Sequence, residues 1–539
     1  MKLLSFSFNI FMNINMTSII KMASVLLLGV VLMTGCDKNG DAPISDNELA
    51  STYRETHRLQ FHFSPPANWM NDPNGMVYYE GEYHLFYQYY PDSTVWGPMH
   101  WGHAVSPDMV YWEHLPIALY PDDLGYIFSG SAVIDWNNTS GFGKEDKPPM
   151  VAIFTHHNIE GEKEEGNKTF QYQSLAYSND KGRTWTKYED NPVIDNPGVR
   201  DFRDPKVSWI TDKWVMVFAA GDHIKFYTSA NLKDWNHESD WGLGSGAQGR
   251  PWECPDFFSM KVEGSDEEKY VLIVSIGKGA YNSGSGTQYF IGDWDGHQFV
   301  NSNDSTETKW LDFGKDNYAG VTWADVPEED GRRLFLGWMS NWQYAQVVPT
   351  EKWRSAMTLP RELKLEKTNL GLLVSSYPVK EVEKLDGKYF ELPPQVFKEN
   401  TIINKNPEVQ LLKLDLKFKI PEHGIVEIQF SNAQNEFLSV GYSAAEKSYF
   451  VDRMFTGKYE FSDMFADYHT SKAPYAKEEV EFLIYLDMSS IELFADGGKC
   501  VMTEIFFPSE PFNKVEIITE ANYVELVDGR ITPLKGIWR

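Results

Sequence analysis

Between about residues 57 and 362 the hydrophobic positions fall in short aromatic and β-branched runs, broken by Gly, Asp, Asn and Pro. Residues 83–87, 150–154, 214–218 and 270–274 are examples. No long stretch carries a helical period, so this half of the chain is predicted to be all-β. A local pattern recurs through it. Ser106-Pro107-Asp108 leads to Trp112, Ser178-Asn179-Asp180 to Trp185, and Ser229-Ala230-Asn231 to Trp235. A polar hairpin turn followed by an inward-packing Trp suits the blade of a β-propeller. At blade lengths of ~40–60 residues the region holds five or six blades. A second β region follows from about residue 392. Residues 411–420 alternate in polarity, 424–431 do so more loosely, 480–486 form an apolar run, and 491–498 read as a strand entering a hairpin turn. Seven or more such strands predict a β-sandwich. The charged stretch between, with Pro378, Pro393 and Pro394, marks the boundary. The expected division is a propeller over 57–365, a linker over 366–391 and a sandwich over 392–539.

Composition agrees with this division. A chain of 539 residues exceeds one ordinary core. Its 18 Trp, 28 Tyr and 33 Phe suit β-structure with sugar-stacking surfaces. A net charge of -28 excludes nucleic acid and anionic membrane surfaces as partners. At the N-terminus, Lys21 precedes an apolar run over 22–33 and then Thr34-Gly35-Cys36. That run is too short to span a bilayer. It resembles a bacterial lipoprotein signal over 1–36, with Cys36 as the lipidated residue and a polar tether over 37–56. Cys254 and Cys500 lie too far apart in sequence to suggest a disulfide framework or a cysteine metal site.

The candidate chemistry is carried by carboxylates. Asp72 lies in Trp69-Met70-Asn71-Asp72-Pro73-Asn74-Gly75, restrained by the following Pro and a tight-turn dipeptide. An isolated Asp-Pro reads best as a turn that caps itself, so Asp72 gains weight only with partners. Phe202-Arg203-Asp204-Pro205 and Trp252-Glu253-Cys254-Pro255 supply them. In a propeller the innermost strands converge on one cavity, where such distant acids meet. Glycoside cleavage needs a carboxylate nucleophile and a second carboxyl that protonates the leaving oxygen, ~5–5.5 Å apart in retaining enzymes. Glu253, flanked by Trp252 and Cys254, is read as the acid, because desolvation disfavours its charged form. Asp72 between Asn71 and Asn74 is expected to stay ionised as nucleophile. Asp204 beside Arg203 is expected to stay ionised and stabilise the transition state.

The three segments together resemble glycoside hydrolase family 32, the levanases, inulinases and invertases. The resemblance extends to Phe86-Tyr87-Gln88, residues 128–133, 284–290, Asp312-Phe313-Gly314, residues 316–319, 337–342 and 449–453. It covers the chain from about His57 onward. It implies a five-bladed β-propeller with a C-terminal β-sandwich, and retaining hydrolysis of β-fructofuranosidic bonds without cofactor or metal. By position it makes Asp72 the nucleophile, Glu253 the acid/base and Asp204 the transition-state stabiliser. Trp69, Asn71, Gln88, Trp96, Phe128, Ser129, Arg203 and Trp338 would bind the substrate. Residues 284–290 and 337–342 are most similar to levanases and exo-inulinases, implying exo release of fructose from levan or inulin, with sucrose also a substrate and endo action the alternative. Anchoring through Cys36 would place the enzyme at the bacterial cell envelope.

Other readings remain. Residues 178–185 fit the S-x-D-x-G-x-T-W box of sialidase propellers, but a sialidase uses a Tyr nucleophile and cationic recognition of its substrate's carboxylate. A non-catalytic fructan-binding lipoprotein would not need both Asp72 and Glu253. His100, His103, His156 and His157 lack clustered carboxylate or Cys ligands and read as strand histidines rather than zinc ligands.

Overall fold

The apolar runs become the second strands of successive blades. In the computed structural model, which describes residues 52–145, 147–302, 308–405, 410–419, 424–472, 478–519 and 523–538, they lie in Glu82–Tyr90, Met150–His157, Lys213–Ala220 and Glu268–Ile276. Each is covered on both faces by neighbouring blades, so the run is continuous and not alternating. Met150–His157 is buried at every position.

Five antiparallel sheets form the propeller. Their innermost strands are Asn68–Tyr79, Tyr126–Ile134, Phe202–Ile210, Trp252–Lys261 and Tyr318–Thr322. The recurrent Ser/Asp–Trp pattern marks the turn between the third and fourth strands of the first three blades. In each, the Ser hydroxyl meets the Asp or Asn two residues on, and the Trp indole donates to a backbone carbonyl three residues back. Those indole bonds are Trp112 to Met109 at 3.1 Å, Trp185 to Gly182 at 3.0 Å and Trp235 to Leu232 at 2.7 Å. One turn chemistry is used three times. The ring closes where Trp353–Arg354, an excursion from the fifth blade, pairs in parallel with Asn68 and Trp69.

The expected linker over 366–391 meets a strand. Gly371–Pro378 pairs with Arg361–Thr368 from end to end as the outer edge of the fifth blade. Lys364, Glu366 and Lys367, whose charge suggested a linker, lie on the inner strand of that pair, where Lys364 and Lys367 are exposed and Leu363 and Leu365 are buried. A 3-10 turn over Lys380–Leu385 then leads to the sandwich, whose first strand, Phe390–Leu392, pairs with Val524–Pro533. The far end of the predicted tether is also held. Tyr53 stacks on Trp538 with ring centroids 3.9 Å apart. Cys36 and the signal segment lie outside the described residues.

The sandwich has a seven-stranded and a six-stranded sheet among the described residues. Leu412–Lys419 alternates strictly, with Leu412, Leu414, Leu416 and Phe418 facing the core. Propeller and sandwich are joined by buried charge. Arg361 binds Asp312 at 2.9 Å, Glu492 at 2.5 Å and Thr503 at 2.7 Å. Arg453 binds Asp316 at 2.6 Å, and His62 places Asp487 on one ring nitrogen and Glu492 on the other, each at 2.8 Å.

Burial opposes a charge on His62, but the two carboxylates outweigh it and raise its pKa to about 9. A folded-state pKa above the unfolded one contributes stability that is complete below about pH 6.5 and is lost as pH rises through about 9. His62→Gln is therefore expected to destabilise by about 3 kcal/mol more at pH 6 than at pH 10 in urea unfolding. An equal loss at both pH values would mean that the ring is neutral.

Candidate active site

All three predicted acids lie near the start of an innermost strand, at one end of the propeller axis. Asp72 is in the first blade, Asp204 in the third and Glu253 in the fourth. Each sits where the ladder slips: the register shifts between Met70 and Pro73, between Arg203 and Lys206, and between Glu253 and Asp256. Such a bulge turns a side chain that would face a neighbouring blade towards the axis. Asp204 and Cys254 take left-handed backbone conformations, with φ of 65° and 44°.

Cys254 shows the convergence directly. Its sulfur lies 3.4 Å from Asp72 Oδ2 and 3.6 Å from Asp204 Oδ2, and its backbone N–H donates to Asp204 Oδ2 at 3.0 Å. Burial and the three surrounding carboxylates push its thiol pKa far up, so it remains a neutral S–H. Asp72 accepts from Ser129 Oγ at 2.6 Å and from Asn71 Nδ2 at 3.0 Å. The Trp69 indole donates to Asn71 Oδ1 at 2.7 Å, which turns the amide nitrogen towards Asp72. Arg203 donates to Glu253 Oε1 from Nε at 3.2 Å and Nη2 at 2.9 Å, and to Asp201 from Nη1 at 2.6 Å. The Tyr318 hydroxyl donates a short hydrogen bond to Glu253 Oε2.

This geometry corrects the predicted protonation pattern. Asn74 turns its amide oxygen to Gln88, accepting from Nε2 at 2.9 Å, and gives Asp72 nothing. Arg203 spends its strong hydrogen bonds on Glu253 and Asp201 and stands 3.9 Å from Asp204. Burial, which dominates, therefore raises the pKa of Asp72 against the pull of Ser129. Burial also pushes Asp204 up to about 7, Arg203 opposing and the other two acids assisting. Glu253, expected in an apolar pocket, instead has a guanidinium and a phenol as partners, and its side chain is 17% exposed. The two acids whose pKa burial raises, Asp72 and Asp204, are the two that the guanidinium leaves without a strong hydrogen bond. A carboxylate, a protonated carboxyl and a fixed cation are the parts that acid-assisted nucleophilic displacement needs.

The predicted binding residues divide by exposure. Trp96 and Phe128 are half-buried and meet edge to face at 6.0 Å; Phe128 also stacks on His157 at 4.2 Å. Burial holds that histidine's pKa down at about 3, so it packs as a neutral ring. Gln88, Asn71, Ser129 and Arg203 are buried polar groups at the acid end. Trp69 and Trp338 are fully buried and pack against each other and the half-buried Trp342, so they shape the floor from behind. Trp338 Nε1 meets no protein acceptor. Sequence reasoning missed Tyr318 as the partner of Glu253, although 316–319 was among the matched segments. It also missed the Cys254 thiol, whose only signal was its place between Glu253 and Pro255.

Acids from separate blades gathered beside a guanidinium, at the end of a five-bladed propeller that carries a sandwich, define a class: the propeller glycoside hydrolases. Residues 62–376 match the glycosyl hydrolases family 32 N-terminal domain, and residues 388–533 match the family 32 C-terminal domain. The chain belongs to glycoside hydrolase family 32. It is 48% identical over 503 residues to a levanase of Bacillus subtilis, covering 92% of this chain and 73% of that protein. It is 36% identical to the extracellular exo-inulinase inuE of Aspergillus niger, over 91% and 96% of the two chains. The crystal structure of an exo-inulinase from Aspergillus awamori superposes with a TM-score of 0.83 at 34% identity, covering 90% of this chain and all of that one.

Ser129→Ala removes the hydroxyl that opposes the rise in the Asp72 pKa. The acidic limb of kcat/KM is expected to move to higher pH, with turnover at neutral pH falling roughly tenfold or more. An unmoved limb in the pH–rate profile would detach Asp72 from that ionisation.

Proposed function

We propose that the protein hydrolyses β-fructofuranosidic bonds of levan or inulin, with sucrose as a smaller substrate, and releases terminal fructose with retention of configuration. The observation that carries this reading is the meeting of Asp72, Asp204 and Glu253 around one thiol and one guanidinium. The similarity to proteins named levanase and exo-inulinase supplies the sugar.

In this mechanism Asp72 attacks the anomeric carbon of a fructosyl unit as the bond to the leaving oxygen breaks. Glu253 delivers its proton to that oxygen. Water then gives a proton to Glu253 and displaces Asp72, restoring both groups. Asp204 accepts from sugar hydroxyls and favours the oxocarbenium-like transition state, whose positive charge also draws Asp72 and Asp204 towards ionisation. Asn71 and Ser129 hold Asp72 in its attacking rotamer. Arg203 and Tyr318 fix Glu253, one on each oxygen. Gln88, Trp96 and Phe128 grip and wall the sugar, while Trp69 and Trp338 support them from the core. A sialidase reading is poorly supported, because the one guanidinium here is already committed to Glu253 and Asp201. Lipidation at Cys36 would hold the enzyme at the cell envelope, within reach of extracellular polymer.

Asp72→Asn is expected to abolish turnover of levan, inulin and sucrose while leaving the fold intact. Product analysis of the wild type on the three substrates in parallel tests the rest. Fructose alone from the polymers supports exo action, and an oligosaccharide ladder would replace it with endo action. Absence of hydrolysis on all three would leave the non-catalytic binding reading. Cys36→Ala is expected to release the protein from the membrane fraction; persistent anchoring would refute the lipid attachment.

A further inference from the structure

The innermost strands have two ends, and only one carries the acids. The opposite end opens into a cavity of about 550 Å³, lined by residues that close the innermost strands of blades two to five and open the strands beside them. That volume lies within the range of small-molecule sites, roughly 300–1,000 Å³. Trp209 lies five residues beyond Asp204 on one strand, so about 16 Å separates the cavity wall from the acids.

Two indoles at its rim are unusually open for their type. Trp136 is 59% and Trp209 41% exposed, whereas Trp69, Trp101, Trp252, Trp323 and Trp338 are fully buried. Both are nevertheless fixed. Trp136 donates its Nε1 to Asp325 at 2.7 Å, and Trp209 packs edge-on against Trp214 at 5.0 Å. A pre-set aromatic face costs little ordering entropy when a sugar ring stacks on it. Between them the wall offers unspent polar capacity. The Arg333 guanidinium rests over Phe258 at 4.6 Å with one long hydrogen bond to the Ser259 carbonyl, at 3.4 Å. Its neighbour Arg332 is saturated by Asp330 and Glu381.

The charge of the wall selects the occupant. Arg332 and Arg333 face a cavity also lined by Asp325 and Glu328, and Arg332 is already paired with Asp330 and Glu381, so the wall has no excess of positive charge that would hold an anion. Fixed indole faces with mixed donors and acceptors suit a neutral polyhydroxy chain. We infer that the far mouth of the propeller is a second, non-catalytic saccharide site, with Trp136, Trp209 and Arg333 as its main contacts and a fructan segment as its ligand. The identity of that segment rests on the function proposed above. Two sites on one body raise the effective concentration of polymer at the acid end without altering the chemistry.

The test pairs Trp136→Ala/Trp209→Ala with the unaltered chain. In the Asp72→Asn background, which prevents digestion, affinity electrophoresis through levan or inulin measures polymer binding, with dextran as control. The double substitution is expected to weaken fructan retardation at least fivefold. In the active enzyme it should raise KM for the polymer severalfold and leave kcat/KM for sucrose unchanged, which also shows that the fold survives. Unchanged retardation would overturn the site, as would equal retardation by dextran. Failure of the active enzyme to cleave sucrose or either polymer would instead refute the function proposed above.

Discussion

The structure depends on a constraint that all five innermost strands share: each gives up its ladder register near the acid end. The shifts fall at 70–73, 127–130, between Arg203 and Lys206, at 253–256 and at 318–321. A bulge frees a backbone amide that a strand would pair, and a buried unpaired amide is costly. Here the preceding blade supplies the acceptor. Thr155 Oγ1 of the second blade accepts from Asp204 N, and Ser131 Oγ from Val207 N, both at 3.0 Å. Asp204 of the third blade accepts from Cys254 N, and Ser275 of the fourth accepts from Ala319 N at 3.0 Å. Asp204 is therefore part of the stitching that holds the next acid's strand in place, as well as one of the three acids at the axis. Aiming the acids and sealing the blades are one set of hydrogen bonds.

The same burial sets the electrostatics. Near the axis, water is largely excluded and one guanidinium faces three carboxylates, so desolvation outweighs attraction for Asp72 and Asp204. Positive charge appearing on a sugar would supply what the resting site lacks. In the proposed mechanism, an arrangement that disfavours its own ionisation without a ligand would stabilise a cationic transition state more than the neutral ground state. Cys254, held as a thiol by burial and by its acidic surroundings, places its single S–H between two of those acids without adding charge.

Much of this was legible in the sequence. The continuous apolar runs marked the second blade strands, and the Ser/Asp–Trp turns marked three blades. The Asp-Pro and Glu-Cys-Pro segments pointed to the acids because Pro and turn residues occur where a ladder is broken. What was illegible is what adjacency along the chain misrepresents. Arg203 neighbours Asp204 in sequence, but its strong hydrogen bonds go to Glu253 in another blade and to Asp201. Asn74 neighbours Asp72 and serves Gln88. The charged segment around residue 365 looked like a linker, because a strand with one solvated face carries charge at alternate positions as freely as a linker does. Trp69 and Trp338 illustrate a further limit: an aromatic in a motif reads as a sugar platform, whereas only the fold shows that its rings are sealed in the core.

The sandwich is tied to the site through the fifth blade. Residues 312–316 run beside its strand Cys500–Ile505, with Phe313 N bonded to Val501 O at 2.7 Å and Asp316 N to Thr503 O at 3.0 Å. Asp312 and Asp316 are clamped there by Arg361 and Arg453, all four side chains being buried. Two residues later Tyr318 opens the fifth innermost strand and donates to Glu253. The partner of Glu253 is thus positioned by a segment that the sandwich holds rigid. Charged pairs this deeply buried contribute little net stability over apolar packing of the same volume, yet breaking one leaves an unpaired charge. Their fixed geometry is a better account of their presence: they set the register of the strand that delivers Tyr318 to the acid.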